Sequence, residues 1–530
     1  MSDRYPPGSE DAAFDDDLPE VPTGPEAADQ MGREQVRGSM LLLLGRMLSL
    51  VFTVATQVVV IRALSKADYG VFAYALTLVA SGRILLSLGQ GRLLSRFMAT
   101  YEEERDYPRM FGSMLLAVGT IVITSTLLLC ALAVFAEPLL GVAFNDARAV
   151  DVLLILMFLA PMEALDQVFV SMFAVFSRPR AIFFRKYLLT PGLRLAVVLA
   201  LAAFGGSVFS LAAGYVATGL FGLGVYIVLL VRMLRERGVL QHLRPRGVVL
   251  PFKAVFSFSV PTMTSELVVL ATNIFSVVLL GLYHGAVGVA AFRAVISAAR
   301  LNQVVYQTFV TLFLPMAARL FARSDRVGLR HAYWRSSVFL AVFTFPVFAM
   351  TGIFSSATTV TLFGERYASS GAVLMALAGG YYFSVALGFN VYVLQVFGRL
   401  RYLVLSNVCV AGANVGLAFV LIPRYGALGA AAANATTMIG QNIANQVVLA
   451  RTMRVEGQVR AEYLRPYVVI ASVATVLAVV NFVLRPGILV AIVIAAVASL
   501  VVLWLTRRSL RLLDTFPELS QVPLLRRLVR

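Results

Sequence analysis

The stretch 371-GAVLMALAGGYYFSVALGFNVYVLQVF-397 contains no charged residue and is longer than the roughly 20 residues that a helix needs to cross a membrane. The run 152-VLLILMFLAPMEALDQVFVSMFAV-175 is of similar length and carries only two acids. The chain of 530 residues is 59% hydrophobic and 14% charged, with a mean hydropathy of +0.83. Soluble domains average about 45–50% apolar and about 25% charged residues, so the composition predicts a multi-span membrane protein.

Apolar runs bounded by Arg, Pro and Gly predict an all-α membrane protein with about fourteen transmembrane helices. They cover 39–63, 68–90, 111–136, 151–177, 187–204, 210–231, 254–282, 286–315, 336–362, 371–397, 403–422, 427–450, 467–484 and 487–505. The longest predicted inner connection divides the first twelve helices into two six-helix lobes. The predicted parts are a disordered acidic tail (1–38), an N-terminal lobe (39–231), a linker (232–253), a C-terminal lobe (254–450), two extra helices (451–505) and a basic tail (506–530).

The basic residues are distributed as membrane topology requires. The formal net charge is +17, although the first 38 residues hold ten acids against three arginines. The predicted inner loops carry 25 Lys and Arg residues and the outer loops carry 6. The positive-inside rule therefore predicts that both termini are cytoplasmic. Since the basic residues form short clusters between apolar runs rather than one soluble patch, nucleic acid is not an expected partner.

A faint internal repeat supports the division into two lobes. The sequence 70-GVFAY-74 opens the second predicted helix, and 288-GVAAF-292 opens the eighth, which is the second helix of the other lobe. Repeats at equivalent positions of two halves are typical of transporters.

When Arg62 at the end of the first helix is counted with its outer loop, five arginines remain inside predicted helices: Arg46, Arg83, Arg194, Arg293 and Arg300. An arginine at a helix centre costs about 2.5–3.5 kcal/mol on insertion scales, so such residues usually face a bundle interior or a wet cavity. Snorkelling towards a membrane surface is the alternative, equally weighted for Arg46 and favoured for Arg194. Interhelical hydrogen bonds that only hold the bundle together are a second alternative.

The spacing of polar residues along each predicted helix distinguishes a cavity-lining role for these arginines from the alternatives. In the eighth helix Arg293, Ser297, Arg300 and Gln307 share one stripe, and a stripe with two arginines is not expected to face lipid. The first, second and seventh helices have polar faces of the same kind. The planar guanidinium of an arginine can donate two parallel hydrogen bonds to the oxygens of a phosphate. A cavity lined by these polar faces is therefore predicted to bind an anion. The candidate substrate-binding residues are Arg293, Arg300, Arg83, Arg46, Gln57 and Gln307, and the ion-coupling candidates are Glu266 and Asn273.

Catalytic, metal and cofactor sites have little support in the sequence. The only cysteines, Cys130 and Cys409, each lie inside an apolar run, and the three histidines are far apart without acids or cysteines at ligand spacing. The longest predicted outer connection, around Glu137–Val150, has about 14 residues, whereas a membrane glycosyltransferase or polymerase needs a substantial catalytic loop. No metal, cofactor or enzymatic activity is therefore expected.

Two turn motifs resemble those of a known family. The sequence 62-RALSKADYGVFA-73 resembles the turn between the first two helices of polysaccharide-transporter flippases, which belong to the multidrug/oligosaccharidyl-lipid/polysaccharide exporter superfamily. The sequence 422-IPRYGALGAA-431 is similar to their late Pro-x-Tyr-Gly-x-x-Gly-Ala-Ala turn. The resemblance covers about residues 39–505. The motifs are structural turns, so they transfer no substrate-binding residue to this chain.

The resemblance implies an alternating-access flippase in the plasma membrane, the inner membrane of a bacterium. It would move a lipid-diphosphate-linked, anionic oligosaccharide for surface polysaccharide assembly, with H⁺ or Na⁺ as a coupling ion and the polysaccharide assembly machinery as a partner. A flippase for a lipid-linked peptidoglycan precursor is the closest alternative. An ion-coupled multidrug extruder is disfavoured because five arginines against three acids lie within the predicted helices.

Overall fold

The structure is a computed structural model, and it shows a helical membrane protein. It describes residues 25–87, 94, 97–98, 100–102, 104, 106–140, 147–176, 179–236, 238, 241, 248–250, 252–453 and 461–510. Throughout these residues the regular structure is helical and no strand occurs. The predicted all-α fold is therefore confirmed.

The N-terminal half of the chain runs through eight described helices. They are α1 (Pro25–Ala63), α2 (Lys66–Ser87), α3 (Tyr107–Leu140), α4 (Ala147–Met157), α5 (Leu159–Val175), α6 (Pro179–Ile182), α7 (Thr190–Phe204) and α8 (Val208–Glu236). A π-helical turn, Phe183–Leu189, joins α6 to α7.

The rest of the described chain forms eight more helices. They are α9 (Phe252–Ala322), α10 (Arg326–Phe348), α11 (Ser355–Phe363), α12 (Gly371–Ala386), α13 (Asn390–Val396), α14 (Leu400–Met453), α15 (Ala461–Leu484) and α16 (Ile488–Leu510). A π-helical turn, Ala349–Ile353, follows α10, and a 3-10 helix, Glu365–Ser370, precedes α12. We call α9–α14 the C-terminal half; α15 and α16 pack on it through α10.

The chain reverses direction inside α9 and inside α14. Gly285 and Gly426 have positive φ values of 60° and 55°, which glycine adopts without steric cost. A Cβ on Gly429 would overlap the carbonyl oxygen of Leu421, although residues eight apart in a straight helix are separated by about 12 Å. Twelve helical stretches among the described residues, some of which join two consecutive elements, are long and apolar enough to cross a membrane. Because two of them fold back at these glycines, they provide the fourteen predicted crossings.

Helix α1 extends into the segment 1–38 that the sequence predicts to be a disordered acidic tail. Helix α1 begins at Pro25, so residues 25–38 continue the first spanning helix, whereas residues 1–24 lie outside the described residues. The sequence 25-PEAADQMGREQVRG-38 has Pro at the first helical position and is rich in strong helix formers. It also extends an existing helix, so it does not bear the cost of nucleation.

The predicted helix 371–397 is interrupted in the structure. Helix α12 ends at Ala386 and α13 begins at Asn390, with Gly388 at a φ of 69° between them. The tyrosines of two neighbouring helices bond to the freed carbonyls: Tyr333 donates to Leu387 O at 2.6 Å, and Tyr467 donates to Ala386 O at 2.7 Å. Buried carbonyls that leave a helix need such partners, so the break is supported by packing that the apolar run does not reveal.

The two halves meet most closely between α2 and the second arm of α9. A Cβ on Gly70 would overlap the carbonyl oxygen of Ala286, so the two backbones are in direct contact. The segments 70-GVFAY-74 and 288-GVAAF-292, which form the faint sequence repeat, lie at this contact and contribute buried residues to one core. Small residues allow this approach because no side chain stands between the helices.

Candidate functional site: a cationic cavity between the two halves

A cavity of about 370 Å³ lies between the two halves of the molecule. Helices α1, α2, α7 and α8 and the adjacent π-helical turn line it from the N-terminal half, and α9 lines it from the C-terminal half. Its charged lining residues are Lys186, Arg194, Arg293 and Arg300. None of the described residues that line it carries a carboxylate. The cavity is therefore positively charged within a largely apolar protein.

The wall formed by α9 presents Arg293, Ser297 and Arg300 on one face. Arg293 and Arg300 are two turns apart, which is about 10 Å along the helix axis. Arg300 Nε donates to the hydroxyl of Tyr381 at 3.1 Å, which positions its guanidinium. In the described part of the chain, no acid lies within ion-pair distance of either arginine. Their positive charges are thus available to a guest.

Gln57 of α1 joins the two halves beside the cavity. Its amide nitrogen donates to the backbone oxygens of Arg293 at 3.4 Å and Ala294 at 3.2 Å. Its amide oxygen accepts from the hydroxyl of Ser297. The side chain therefore lines the cavity, as expected for a binding residue, while its hydrogen-bonding groups already hold α1 against α9.

The N-terminal wall contains basic residues whose charges are shared with acids. Arg194 lines the cavity, and its Nη2 lies 3.2 Å from Glu163 Oε1. Its guanidinium is also 5.1 Å from the ring centre of Tyr215, a cation–π distance. Arg83 Nε lies 3.8 Å from the other oxygen of Glu163, outside the lining set. One carboxylate therefore serves two arginines.

Behind this wall, Arg185 and Asp166 form a buried ion pair. The Arg185 side chain is 3% exposed, donates to Gly222 O at 3.0 Å and lies 4.2 Å above the ring of Tyr226. A Cβ on Gly222 would lie 2.6 Å from Arg185 Nη2, so this glycine leaves room for the guanidinium. The pairing offsets part of the cost of removing both charges from water.

The π-helical turn explains why two residues predicted for an inner loop lie in the bundle. The backbone N–H of Thr190 bonds to Arg185 O, five residues earlier, just before Pro191, which lacks an N–H. The turn brings Arg185 into the core and Lys186 to the cavity. Pro191 is a sequence signal for this turn. Periodicity missed Lys186. Snorkelling was favoured for Arg194 because it lies about two turns from the predicted inner loop, but Arg194 lines the cavity.

The structure brings together only some of the sequence-predicted site residues. Gln57, Arg293 and Arg300 line the cavity. Arg46 and Gln307 lie outside the lining set and bond to each other, the Arg46 guanidinium donating to the Gln307 side-chain oxygen. The ion-coupling candidates Glu266 and Asn273 lie outside the described side chains. Within the described chain, no group of three His, Cys, Asp or Glu residues is placed to hold a metal ion.

At the end of α1 beyond the cavity, basic residues bind backbone oxygens across the two halves. Arg62 donates to Leu362 O at 2.9 Å and to Thr361 O. Arg366 donates to Arg62 O at 2.9 Å and to Ile61 O. Each arginine thus caps the carbonyl end of a helix in the other half, where cations are favoured. We call Arg62 and Arg366 the reciprocal latch.

Comparison with known proteins agrees with this architecture. The family model described as "Polysaccharide biosynthesis protein" matches residues 35–321, more than half of the chain. An inward-closed structure of the lipid II flippase MurJ has a TM-score of 0.67 at 13% identity, covering 90% of this chain and 99% of that one. An inward-facing MATE family multidrug transporter of the MOP superfamily has a TM-score of 0.60 at 14% identity, covering 77% and 96%. No curated protein matches.

The fold is similar to that of the MurJ flippase structure and of the MATE transporter of the MOP superfamily. The chain belongs to the polysaccharide biosynthesis protein family. The resemblance to the polysaccharide-transporter family is therefore confirmed.

Proposed function

We propose that the protein is an alternating-access flippase that moves a lipid-diphosphate-linked oligosaccharide across the plasma membrane for surface polysaccharide assembly. The observation that carries the proposal is the cavity lining, in which four basic residues occur without a described acid. A diphosphate has several anionic oxygens, and an arginine guanidinium can donate hydrogen bonds to two such oxygens at once. In a low-dielectric cavity this attraction is stronger than in water.

The size of the cavity fits the polar part of such a substrate. Its volume of about 370 Å³ falls at the lower end of the roughly 300–1,000 Å³ of small-molecule sites. We infer that the diphosphate and the adjoining sugar occupy the cavity while the lipid chain stays in the bilayer. Gln57 and Ser297, which already bond to each other, would exchange these bonds for sugar hydroxyls.

The contacts between the halves suggest how the transport cycle proceeds. With both termini in the cytoplasm, the reciprocal latch lies at the outer face, and Arg46 with Gln307 lies towards the inner face. Opening to the outside would break the bonds of Arg62 and Arg366 to backbone oxygens. Opening to the inside would break the contact between Arg46 and Gln307. If both sets of contacts were broken at the same time, a continuous pore would open, so one set must stay formed while the other is broken.

A flippase for a lipid-linked peptidoglycan precursor is the second candidate. The fold likeness to the MurJ structure, with a TM-score of 0.67, favours it, and a diphosphate-linked substrate of that class would suit the same four basic residues. The family match favours the polysaccharide precursor. A drug extruder for cations does not fit a cationic lining. H⁺ or Na⁺ coupling through Glu266 and Asn273, and contact with the assembly machinery, stay proposals.

The proposal is tested by removing the gene and identifying the lipids that accumulate. We expect an oligosaccharide linked to a lipid diphosphate to accumulate on the inner leaflet, and the wild-type gene to restore export. Accumulation of a peptidoglycan precursor would support the second candidate instead. Unchanged glycolipids with altered drug sensitivity would contradict both.

A further inference from the structure

Glu163 occupies an unusual position behind the cavity wall. It lies on α5 between Arg83 of α2 and Arg194 of α7, at 3.8 Å and 3.2 Å respectively. The side chain of Glu163 is 30% exposed, and those of Arg83 and Arg194 are 36% and 27% exposed. The carboxylate is therefore partly accessible and is shared between two helices.

Arg194 differs in this respect from the other basic residues of the cavity. For Lys186, Arg293 and Arg300, the described residues supply no carboxylate within ion-pair distance. A carboxylate and a phosphate both present paired anionic oxygens to a guanidinium fork. Glu163 thus gives Arg194 the same kind of ligand that a substrate phosphate would give it.

From this arrangement we propose that Glu163 is an internal counter-anion that competes with the substrate diphosphate for Arg194. The inference rests on the proposed function. When substrate binds, Arg194 turns from Glu163 to a phosphate; when substrate leaves, Glu163 takes Arg194 back. The carboxylate therefore weakens binding and speeds release.

The neighbouring residues make this exchange feasible. Arg83 keeps Glu163 paired while Arg194 is engaged elsewhere, which avoids an unpaired charge in a poorly solvated place. The ring of Tyr215, 5.1 Å from the Arg194 guanidinium, holds that group near the cavity wall in both states. Among the described residues, no carboxylate competes with the substrate for Arg293 or Arg300. These two arginines are therefore available to the diphosphate throughout the exchange.

The test is the affinity of the purified full-length protein for a polyprenyl diphosphate, measured in nanodiscs. We expect Glu163→Gln, which keeps the shape and removes the charge, to bind about tenfold more tightly than wild type and to release the lipid more slowly. Glu236→Gln is the matched control, because Glu236 pairs with Arg232 at 2.9 Å, away from the cavity. We expect its affinity to equal that of wild type.

A double-mutant cycle separates competition from a general effect of charge. If Glu163 acts through Arg194, Glu163→Gln should not tighten binding in an Arg194→Ala protein. Tightening by the same factor in both backgrounds would overturn the proposal. Wild-type affinity or weaker binding in folded Glu163→Gln would also overturn it. If that variant does not fold, Glu163→Asp replaces it, because the shorter side chain withdraws the carboxylate from Arg194 while keeping the charge. We expect Glu163→Asp to bind the diphosphate more tightly than wild type, by a smaller factor. Wild-type affinity in Glu163→Asp would count against competition.

Failure of the inference can be told apart from failure of the proposed function. Wild-type protein that binds the lipid diphosphate, together with unchanged affinity in Glu163→Gln, overturns only the role of Glu163. Wild-type protein that shows no affinity for the diphosphate over an uncharged polyprenol overturns the proposed function and the inference together.

Discussion

Arg194 and Arg293 illustrate two ways in which this protein keeps a guanidinium inside the membrane. Arg194 is paired with Glu163 and packed against Tyr215, whereas Arg293 lines the cavity without a described acid at ion-pair distance. The first arrangement lowers the cost of burial through a partner in the protein. The second leaves a charge that an anionic guest can neutralise, which fits a binding role.

The ion pair between Arg185 and Asp166 should be important for stability. Since the Arg185 side chain is 3% exposed, Asp166→Ala would leave a buried charge without its partner, at an expected cost of about 3–5 kcal/mol. We expect a markedly lower Tm of the detergent-purified protein. Glu236→Ala, which disrupts an exposed pair with Arg232, should lower the Tm little. Equal Tm values for the two variants would contradict a stabilising role for the buried pair.

Residue patterns in the sequence located part of the site. The stripe of Arg293, Ser297 and Arg300 could be predicted because helical periodicity places residues spaced by three and four on one face. Lys186 could not, because it reaches the cavity through a π-helical turn that changes the helical phase near Pro191. The ion pair of Arg194 with Glu163 depends on the packing of both α5 and α7 against α8, which a single sequence does not specify.

At the scale of elements, the contact between α2 and α9 depends on a residue without a side chain. A methyl group on Gly70 would overlap the carbonyl oxygen of Ala286, so Gly70→Ala should force the helices apart and destabilise the protein by about 1–3 kcal/mol. Gly119→Ala in α3 is the control, because a Cβ there meets no atom within 4 Å. Thermal unfolding in detergent distinguishes them. A Gly70→Ala protein as stable as Gly119→Ala would refute this contact.

The reciprocal latch should control the balance between closed and open outer ends. Replacing Arg62 and Arg366 with Ala removes bonds to backbone oxygens in both directions, so we expect about a tenfold shift towards the open form. Spin labels at the exposed Ala67 and Ala368 would report this as a larger population of long distances. Cys130 and Cys409, both exposed, are replaced first. An unchanged distance distribution would show that the latch does not hold the halves together.

Helix boundaries could be predicted from the sequence where a glycine or a charged residue marks them. They could not be predicted where packing against other helices determines them. The reversals at Gly285 and Gly426 fall between the predicted helices 254–282 and 286–315 and between 403–422 and 427–450. The break at Gly388 was not predicted, because the surrounding run is apolar on both sides. The two tyrosines that bond to the freed carbonyls come from α10 and α15, which are distant in the sequence.

For the whole molecule, the distribution of basic residues predicts an orientation. Single cysteines at Ala67 and Ala368, in a protein without the native cysteines, should react with an impermeant thiol reagent added outside the cell. Cysteines at Arg235 and Arg323, near the predicted inner connections, should react only after the membrane is permeabilised. All four positions are exposed, so a lack of reaction reflects the side of the membrane. The reverse labelling pattern would contradict cytoplasmic termini.

The central claim, that the cavity between the halves binds a diphosphate, is tested most directly by the affinity of the purified protein for a polyprenyl diphosphate. We expect binding by wild type and by Arg319→Ala, which removes an exposed arginine at the far end of α9. Arg293→Ala and Arg300→Ala should each weaken binding at least tenfold. Arg293→Lys and Arg300→Lys, which keep the positive charge but lose the two-pronged guanidinium, should have intermediate affinity. Folded Arg293→Ala and Arg300→Ala proteins that bind as tightly as wild type would contradict the account.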